Sequence, residues 1–231
     1  MKQDKYSIEK WINQLENNKS TGFLDQHDQN ILIPILNKNK IKHQIYTPYQ
    51  DADHIIIYKD ELPKIDVLKI DCKHPLKHNE ILGSIYNLNI QKEYFGDILI
   101  TNQEYYVLCL PQMTEYIEHH LIKISKYTVH NSKIEKDISN YEKEYTSHNL
   151  ITTSLRIDNI ISKITNLSRN DVIKKIHQKE VILNGEILTN KAKELKENDT
   201  FSIRRFGKYR YIETIKKTHK NNLIIKYIKY Q

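Results

Sequence analysis

Apolar residues recur at helical spacing near the start of the chain. Ile8, Trp11, Ile12 and Leu15 share one face of a helix predicted over residues 7–18, with Ser7 as its cap. A second helix is predicted over residues 25–37, with Ile31, Leu32, Ile35 and Leu36 turned inward. The pattern then changes. His54-Ile-Ile-Ile-Tyr58 and Asp66-Val-Leu-Lys-Ile70 read as strands, and residues 77–88 return to helical spacing through Ile81, Leu82, Ile85 and Leu88. Asp97-Ile-Leu-Ile100 and Tyr105-Tyr-Val-Leu-Cys109 read as strands around a polar turn at Thr101-Asn102-Gln103. A helix over residues 111–122 opens on Pro111, a permitted first-turn position, and residues 124–129 read as a closing strand. The resulting β–α–β–β–α–β order predicts a split βαβ sandwich, the topology of many RNA-recognition folds. The same topology also serves metal transport, catalysis and regulation, so it does not by itself assign a function.

Beyond residue 150 the pattern is denser. Ile157, Ile160, Ile161 and Ile164 form one apolar helix stripe. Ser168 with Asp171 three residues on has capping-box spacing before a second helix, whose core positions are Val172, Ile173 and Ile176. Val181-Ile-Leu183 and Glu186-Ile-Leu188 flank Asn184-Gly185, the preferred two-residue turn of a tight hairpin. Arg204, Arg205, Lys208 and Arg210 are read along a β segment with Phe206, Tyr209 and Tyr211 between them, and residues 222–230 as a last strand. The expected class is α+β, with a helical leader (residues 1–48), a central RNA-recognition-like domain (49–145) and a small C-terminal α/β domain (150–231).

Composition changes this picture in one respect. Residues 151–231 carry 18 Lys and Arg against 8 Asp and Glu, a net of +10, whereas residues 1–150 carry 18 against 21, a net of −3. A basic third on a mildly acidic body points to a polyanionic partner, the alternative being an ordinary solvated surface. The remaining signals exclude more than they suggest. Cys72 and Cys109 form no C-x-x-C pair and read as reduced thiols. No apolar run approaches the roughly 20 residues of a membrane span, and the first residues lack a signal-peptide core, so a soluble cytoplasmic protein without membrane partner is expected. Abundant Ile, Lys, Asn and Tyr read as the bias of an AT-rich genome.

Several residues carry candidate chemistry. The predicted second C-terminal helix turns Arg169, Lys174 and Lys175 toward solvent. A cation in a helix's first turn opposes the helix dipole, so Arg169 is better explained by a phosphate at the exposed amides, onto which its guanidinium would fork. Ser168, Asp171 and Asp158 read first as structural groups at helix starts. The interleaved cations and aromatics at 204–211 suit phosphate contacts with base stacking, and they equally suit a charged edge strand. No glycine-rich phosphate loop is present, and His119-His120 has no partner spacing for zinc, so no catalytic residue, metal or cofactor is expected.

The order Arg156-Ile-Asp158, Ser168-Arg169-Asn170-Asp171, Lys179-Glu-Val-Ile-Leu-Asn184-Gly185, Asn198-Asp199 and Ser202-Ile-Arg204-Arg205-Phe-Gly207-Lys208-Tyr-Arg210 resembles the RNA-binding domain named after bacterial ribosomal small-subunit protein four, the S-four domain. Lys179 and Asn198 stand where that domain has Gly. A second stretch, His78-Asn-Glu80-Ile-Leu-Gly83 through Phe95-Gly96-Asp97-Ile98, resembles the helix–loop–strand signature of the YlmH family, bacterial proteins with a helical leader, a central domain of this topology and a C-terminal S-four domain. Asn89 and Lys92 depart from that family's Gly and Arg, and its glycine pair and Glu-Arg segment are not evident in Tyr49–His54.

The resemblance implies a monomeric, non-enzymatic RNA-binding protein. Its implied partners are the ribosome, through ribosomal RNA of the large subunit, and peptidyl-tRNA, in ribosome-associated quality control by C-terminal tailing of stalled chains. The implied contacts are Arg156, Ser168, Arg169, Asn170, Lys174, Lys175, Lys179, Arg204, Arg205, Lys208 and Arg210. The rival readings are an RNA-modifying enzyme of pseudouridine-synthase type, whose catalytic loop does not follow Arg156-Ile-Asp158, and a cell-division adaptor with an RNA-binding module.

Overall fold

The computed structural model describes residues 2–102 and 104–230, with side chains from residue 5 onward. Gln103 of the expected 101–103 turn lies outside the described residues. The chain divides into two compact units, residues 1–142 and 143–231, each with its own core.

In the first unit, α1 (Lys2–Glu16) starts before Ser7, so the expected cap lies inside the helix. α2 (Gln26–Lys38) is capped by Asp25, whose carboxylate accepts from the Asp28 amide at 2.9 Å. Trp11, Leu15, Leu32 and Leu36 close over Leu24, Ile55 and Ile57 in one cluster. β1 (Gln44–Tyr46) and β2 (Ile56–Tyr58) pair as a separate antiparallel ribbon, so the strand expected at 54–58 stays out of the main sheet.

That sheet is built from β3 (Asp66–Asp71), β4 (Phe95–Thr101), β5 (Glu104–Cys109) and, further on, β8 (His130–Ile134), in the order β4-β5-β3-β8 and antiparallel throughout. α3 (His78–Tyr86) and α4 (Pro111–His120) supply the two crossovers. This is the split βαβ topology the pattern predicts. One expectation needs correcting. Residues 124–129 are not the closing strand but a hairpin of β6 (Lys123–Ile124) and β7 (Tyr127–Thr128), turning at Ser125 with φ 55°. Ile124 and Val129 lie an odd number of positions apart and would face opposite sides of a continuous strand. Both are buried in the same core, so the chain must turn between them.

Both faces of the sheet are covered. Leu68, Ile70, Tyr105, Val107 and Cys109 pack under α3 and α4 with Ile81, Ile85 and Ile117. The alternate residues Val67, Leu99, Tyr106 and Leu108 pack on the other side against Phe23, Tyr49, Ile56 and Ile138. Gly96 allows this second layer to approach: a Cβ there would sit 2.6 Å from the Phe23 ring. Cys109 is fully buried, and burial pushes its thiol up to about 11; Cys72 is partly buried and also unbridged.

The second unit is a six-stranded sheet backed by two helices. Its elements are β9 (Tyr145–Thr152), α5 (Ile157–Thr165), α6 (Arg169–His177), β10 (Val181–Leu183), β11 (Glu186–Ile187), β12 (Thr200–Ile203), β13 (Gly207–Lys217) and β14 (Leu223–Tyr230), with strand order β11-β10-β12-β13-β14-β9. Ile157, Ile160, Ile161, Val172 and Ile176 pack on Phe201, Ile203, Tyr209 and Tyr211. β9 begins ahead of residue 150 and pairs along its length with β14. The fold is α+β, and among the described residues no helix is long and apolar enough to cross a membrane.

Candidate nucleic-acid interface

The cations expected to contact RNA occupy three places in the second unit. The first lies where α5 and α6 begin. Arg156 forks onto Asp158, Nε to Oδ1 at 3.1 Å and Nη2 to Oδ2 at 2.8 Å. These bonds hold the Asp158 carboxyl below the usual carboxylate range. Asn159, 4% exposed, donates to the Thr152 hydroxyl at 2.6 Å and accepts from Arg169 Nη2 at 3.0 Å. Arg169 is therefore an anchor of a buried polar network, which explains a cation in the first turn without a phosphate. Ser168 caps α6 by accepting from the Asp171 amide at 3.1 Å and donates to its carboxylate at 2.7 Å; Asn170 is exposed beside it. Lys174 reaches Asp171 at 3.1 Å, both being exposed.

Arg169→Ala removes the donor facing the Asn159 oxygen. An orphaned buried acceptor costs about 1–3 kcal/mol, so this variant melts several degrees lower by circular dichroism. An unchanged melting curve would show that the bond holds nothing.

The second place is the edge formed by the end of α6 and the β12–β13 turn. Val181 pairs with Ile203, and beyond that pair the Arg204 amide donates to the Glu180 carbonyl at 3.0 Å. This bond clamps two loops side by side, with Lys179 preceding it on one and Arg205 following it on the other. Both residues hold left-handed backbone, φ 59° and 73°, and both are exposed. Arg204 and Arg205 thus stand in a turn and not on the expected β segment; Phe206 closes that turn. The Glu180 carboxylate accepts from Lys175 at 2.7 Å, and Arg204 lies 3.5 Å from it with its own side chain 70% exposed. The hydrogen bond from Lys175 holds Glu180 below its usual range. Lys175 also lies 5.6 Å from the centroid of the Phe206 ring. Three cations, Lys175, Arg204 and Arg205, act on one carboxylate, a net of two positive charges with an aromatic ring among them.

The third place is β13. Tyr209 and Tyr211 point into the core, so alternation puts Lys208 and Arg210 on the sheet face away from the helices. There both approach the Tyr230 ring, at 5.4 and 5.5 Å. The local pattern gave no sign of Glu180, Asn159 or Tyr230. The carboxylate hub needs the β10–β12 pairing, the amide needs the α5–α6 contact, and the ring needs the β13–β14 pairing.

Comparison with known proteins gives the class. Residues 64–137, the four-stranded sheet with α3 and α4, match the family model described as "Putative RNA-binding domain in YlmH". The protein is thus one that carries an RNA-binding domain of this α+β kind. Over those residues the chain is of the YlmH type. It is 21% identical over 215 residues to the ribosome-associated protein quality control protein P2 of Bacillus subtilis (strain 168), covering 88% of this chain and 84% of that relative. It is also similar to the solved structure of cell division protein ylmH from Streptococcus pneumoniae, at 18% identity and a TM-score of 0.47, covering 58% of this chain and 90% of that one.

Proposed function

We propose that this protein is a non-enzymatic RNA-binding factor of ribosome-associated quality control. In this reading its second unit is an S-four-type module that holds ribosomal RNA of the large subunit beside a peptidyl-tRNA. The observation that carries the proposal is the edge where Lys175, Arg204 and Arg205 converge around Glu180, with the exposed Lys179 preceding it in the chain. Two of these cations occupy left-handed backbone that glycine would adopt at lower cost, so local folding does not account for them. Arg at such a position presents a fork that matches phosphate oxygens. The relative from Bacillus subtilis, named for ribosome-associated quality control, and the S-four resemblance of residues 154–211 support the same reading.

The mechanism is a clamp. Phosphate contacts at the 179/205 edge, extended by Lys174 and exposed groups near Ser168 and Asn170, fix the module on folded RNA. The tRNA is then held in place for elongation without a template. Arg156 and Arg169 act by holding the α5–α6 junction rigid, and Lys208 and Arg210 lie on a separate face.

If about five phosphates are contacted, the logarithm of the affinity for large subunits falls with log salt at a slope of roughly −3.5 to −4.5. Co-sedimentation of the full chain with large subunits over a salt series reads this slope. A flat response would remove phosphate contacts as the basis of binding. Turnover on ribosomal RNA by the purified protein would instead favour an RNA-modifying enzyme.

A further inference from the structure

The central domain matches a family model for RNA binding, yet the surface that RNA-recognition sheets usually offer is closed here. In such folds, aromatics on the open sheet face stack bases. In this chain that face carries Val67, Leu99, Tyr106 and Leu108, and Phe23, Tyr49 and Ile138 are packed over it. Tyr106, the aromatic at the centre of the face, is 2% exposed. RNA bound by this domain must therefore meet another surface.

One surface is shaped for a ligand. A groove of about 480 Å³ runs between α3 and the end of α4, closed at one side by the β6–β7 hairpin. Asn79, Gly83 and Ser84 line it from α3 and Asn87 from the cap that ends this helix, and His120 and Lys123 line the opposite wall. The lining combines amide, hydroxyl and imidazole groups, which donate and accept hydrogen bonds as sugar hydroxyls and phosphates require, with the apolar side chains of Leu88, Leu121 and Ile122. The acidic side chain in the groove, Glu80, is turned to the Lys77 amide at 2.9 Å as a helix cap, whereas Lys123 on the other wall is exposed, so the groove carries one charge of each sign and Lys123 is its cation for a phosphate. At the rim, His120 stacks on Tyr116 at 4.2 Å with an interplanar angle of 19°, and Tyr116 is 40% exposed. That pair is a ready platform for a base.

Gly83 adds an independent observation. It lies inside α3, where glycine weakens a helix relative to alanine. A Cβ built on it meets nothing within 4 Å, in contrast to Gly22 and Gly96, whose Cβ atoms would collide with Glu93 and Phe23. Packing within this chain thus gives Gly83 no reason to lack a side chain. A ligand backbone lying close against α3 does.

We propose that the groove between α3 and the end of α4 is the RNA contact of the central domain. It takes a single-stranded or looped segment by its sugar–phosphate backbone, with a base laid on the Tyr116–His120 pair. This rests on the reading of the chain as an RNA-binding protein.

The test uses the full chain with a fluorescent mixed-sequence single-stranded RNA, a DNA of the same sequence and photo-crosslinking mapped by mass spectrometry. Gly83→Leu puts a side chain into the groove from a position whose Cβ meets nothing within 4 Å. It should leave the melting temperature unchanged or higher, weaken RNA binding about tenfold, and leave the salt slope within about one unit, because the groove contributes few charges. Tyr116→Ala with Lys123→Ala should weaken binding similarly, DNA should bind less well than RNA, and crosslinks should fall on residues 77–88 and 116–123. Unchanged affinity of folded Gly83→Leu, with crosslinks elsewhere in 64–137, overturns the groove and leaves the RNA-binding reading standing. A protein crosslinked in the groove in place of RNA overturns it too. An absence of crosslinks anywhere in 64–137, with no RNA affinity in the intact chain, sinks both.

Discussion

Replacing Lys179 and Arg205 together by glycine should raise the melting temperature of the C-terminal unit and still weaken binding to large ribosomal subunits about a hundredfold. The two effects have separate origins. At φ 59° and 73° each side chain holds its Cβ against the following carbonyl, a cost of about 1–2 kcal/mol that glycine does not carry. Glycine returns part of this through its larger unfolded-state entropy, leaving a net gain of about 1 kcal/mol for the pair. In a unit of this size that is a rise of roughly 5 °C. Binding moves the other way. Each charge-assisted contact to phosphate contributes about 1.5 kcal/mol or more, so two lost contacts amount to about two orders of magnitude. The Arg204–Glu180 backbone bond and the Lys175–Glu180 pair remain, so the edge keeps its shape. Thermal melting and subunit co-sedimentation on the same sample check both halves. A stabilised variant that binds as before would make these cations ordinary surface charge; a destabilised one would refute the backbone argument.

Asp97→Ala should be the most damaging single substitution in the first unit, at about 3–5 kcal/mol, which is much of the stability of a typical domain. Asp97 is 6% exposed and accepts hydrogen bonds from the Tyr49 hydroxyl, the Asp53 amide at 2.8 Å and the His54 ring. These donors pin the segment between β1 and β2 onto the sheet. Urea unfolding followed by Trp11 fluorescence reads the loss, and a shift below about 1 kcal/mol would show that the segment is held by apolar packing alone. Asp97→Asn keeps an acceptor and should cost less.

The same cluster sets an alkaline limit. Burial, and then the Asp97 charge, push the Tyr49 hydroxyl well above its ordinary value. The unfolded chain therefore releases that proton first. The contribution is fully present below about pH 10 and is lost as pH rises beyond it. Tyr49→Phe should flatten that alkaline decline.

Asp97 also shows how far the sequence could be read. Phe95-Gly96-Asp97-Ile98 carried the family resemblance, but what those residues do needs the structure. Gly96 leaves room for the Phe23 ring, and Asp97 ties down residues 49–54, far away in the chain. The segment in which the family's glycine pair was not evident is the one that Asp97 fastens. Left-handed positions were more legible: Asn89 at φ 57°, Asn184 at 50° and Asn198 at 68° stand where a glycine or a tight turn is expected, because asparagine tolerates that backbone.

The cations show the opposite case. Local spacing turned Arg169 outward and placed Arg204 and Arg205 on a strand. In the fold Arg169 bonds Asn159, and the two arginines occupy a turn. Charge counts carry no direction, so the basic third of the chain resolves into three places only in the fold.

Apolar periodicity, cap chemistry and the Asn-Gly turn were enough to predict the helices of both units and the β–α–β–β–α–β order, because each depends on neighbours a few residues apart, and a count of charges was enough for the basic C-terminal third. Tertiary structure alone decided which sheet face is closed, which cations meet at the Glu180 edge, and that Gly83 looks onto open space. Those outcomes depend on side chains brought together from distant parts of the chain, and no local spacing encodes them.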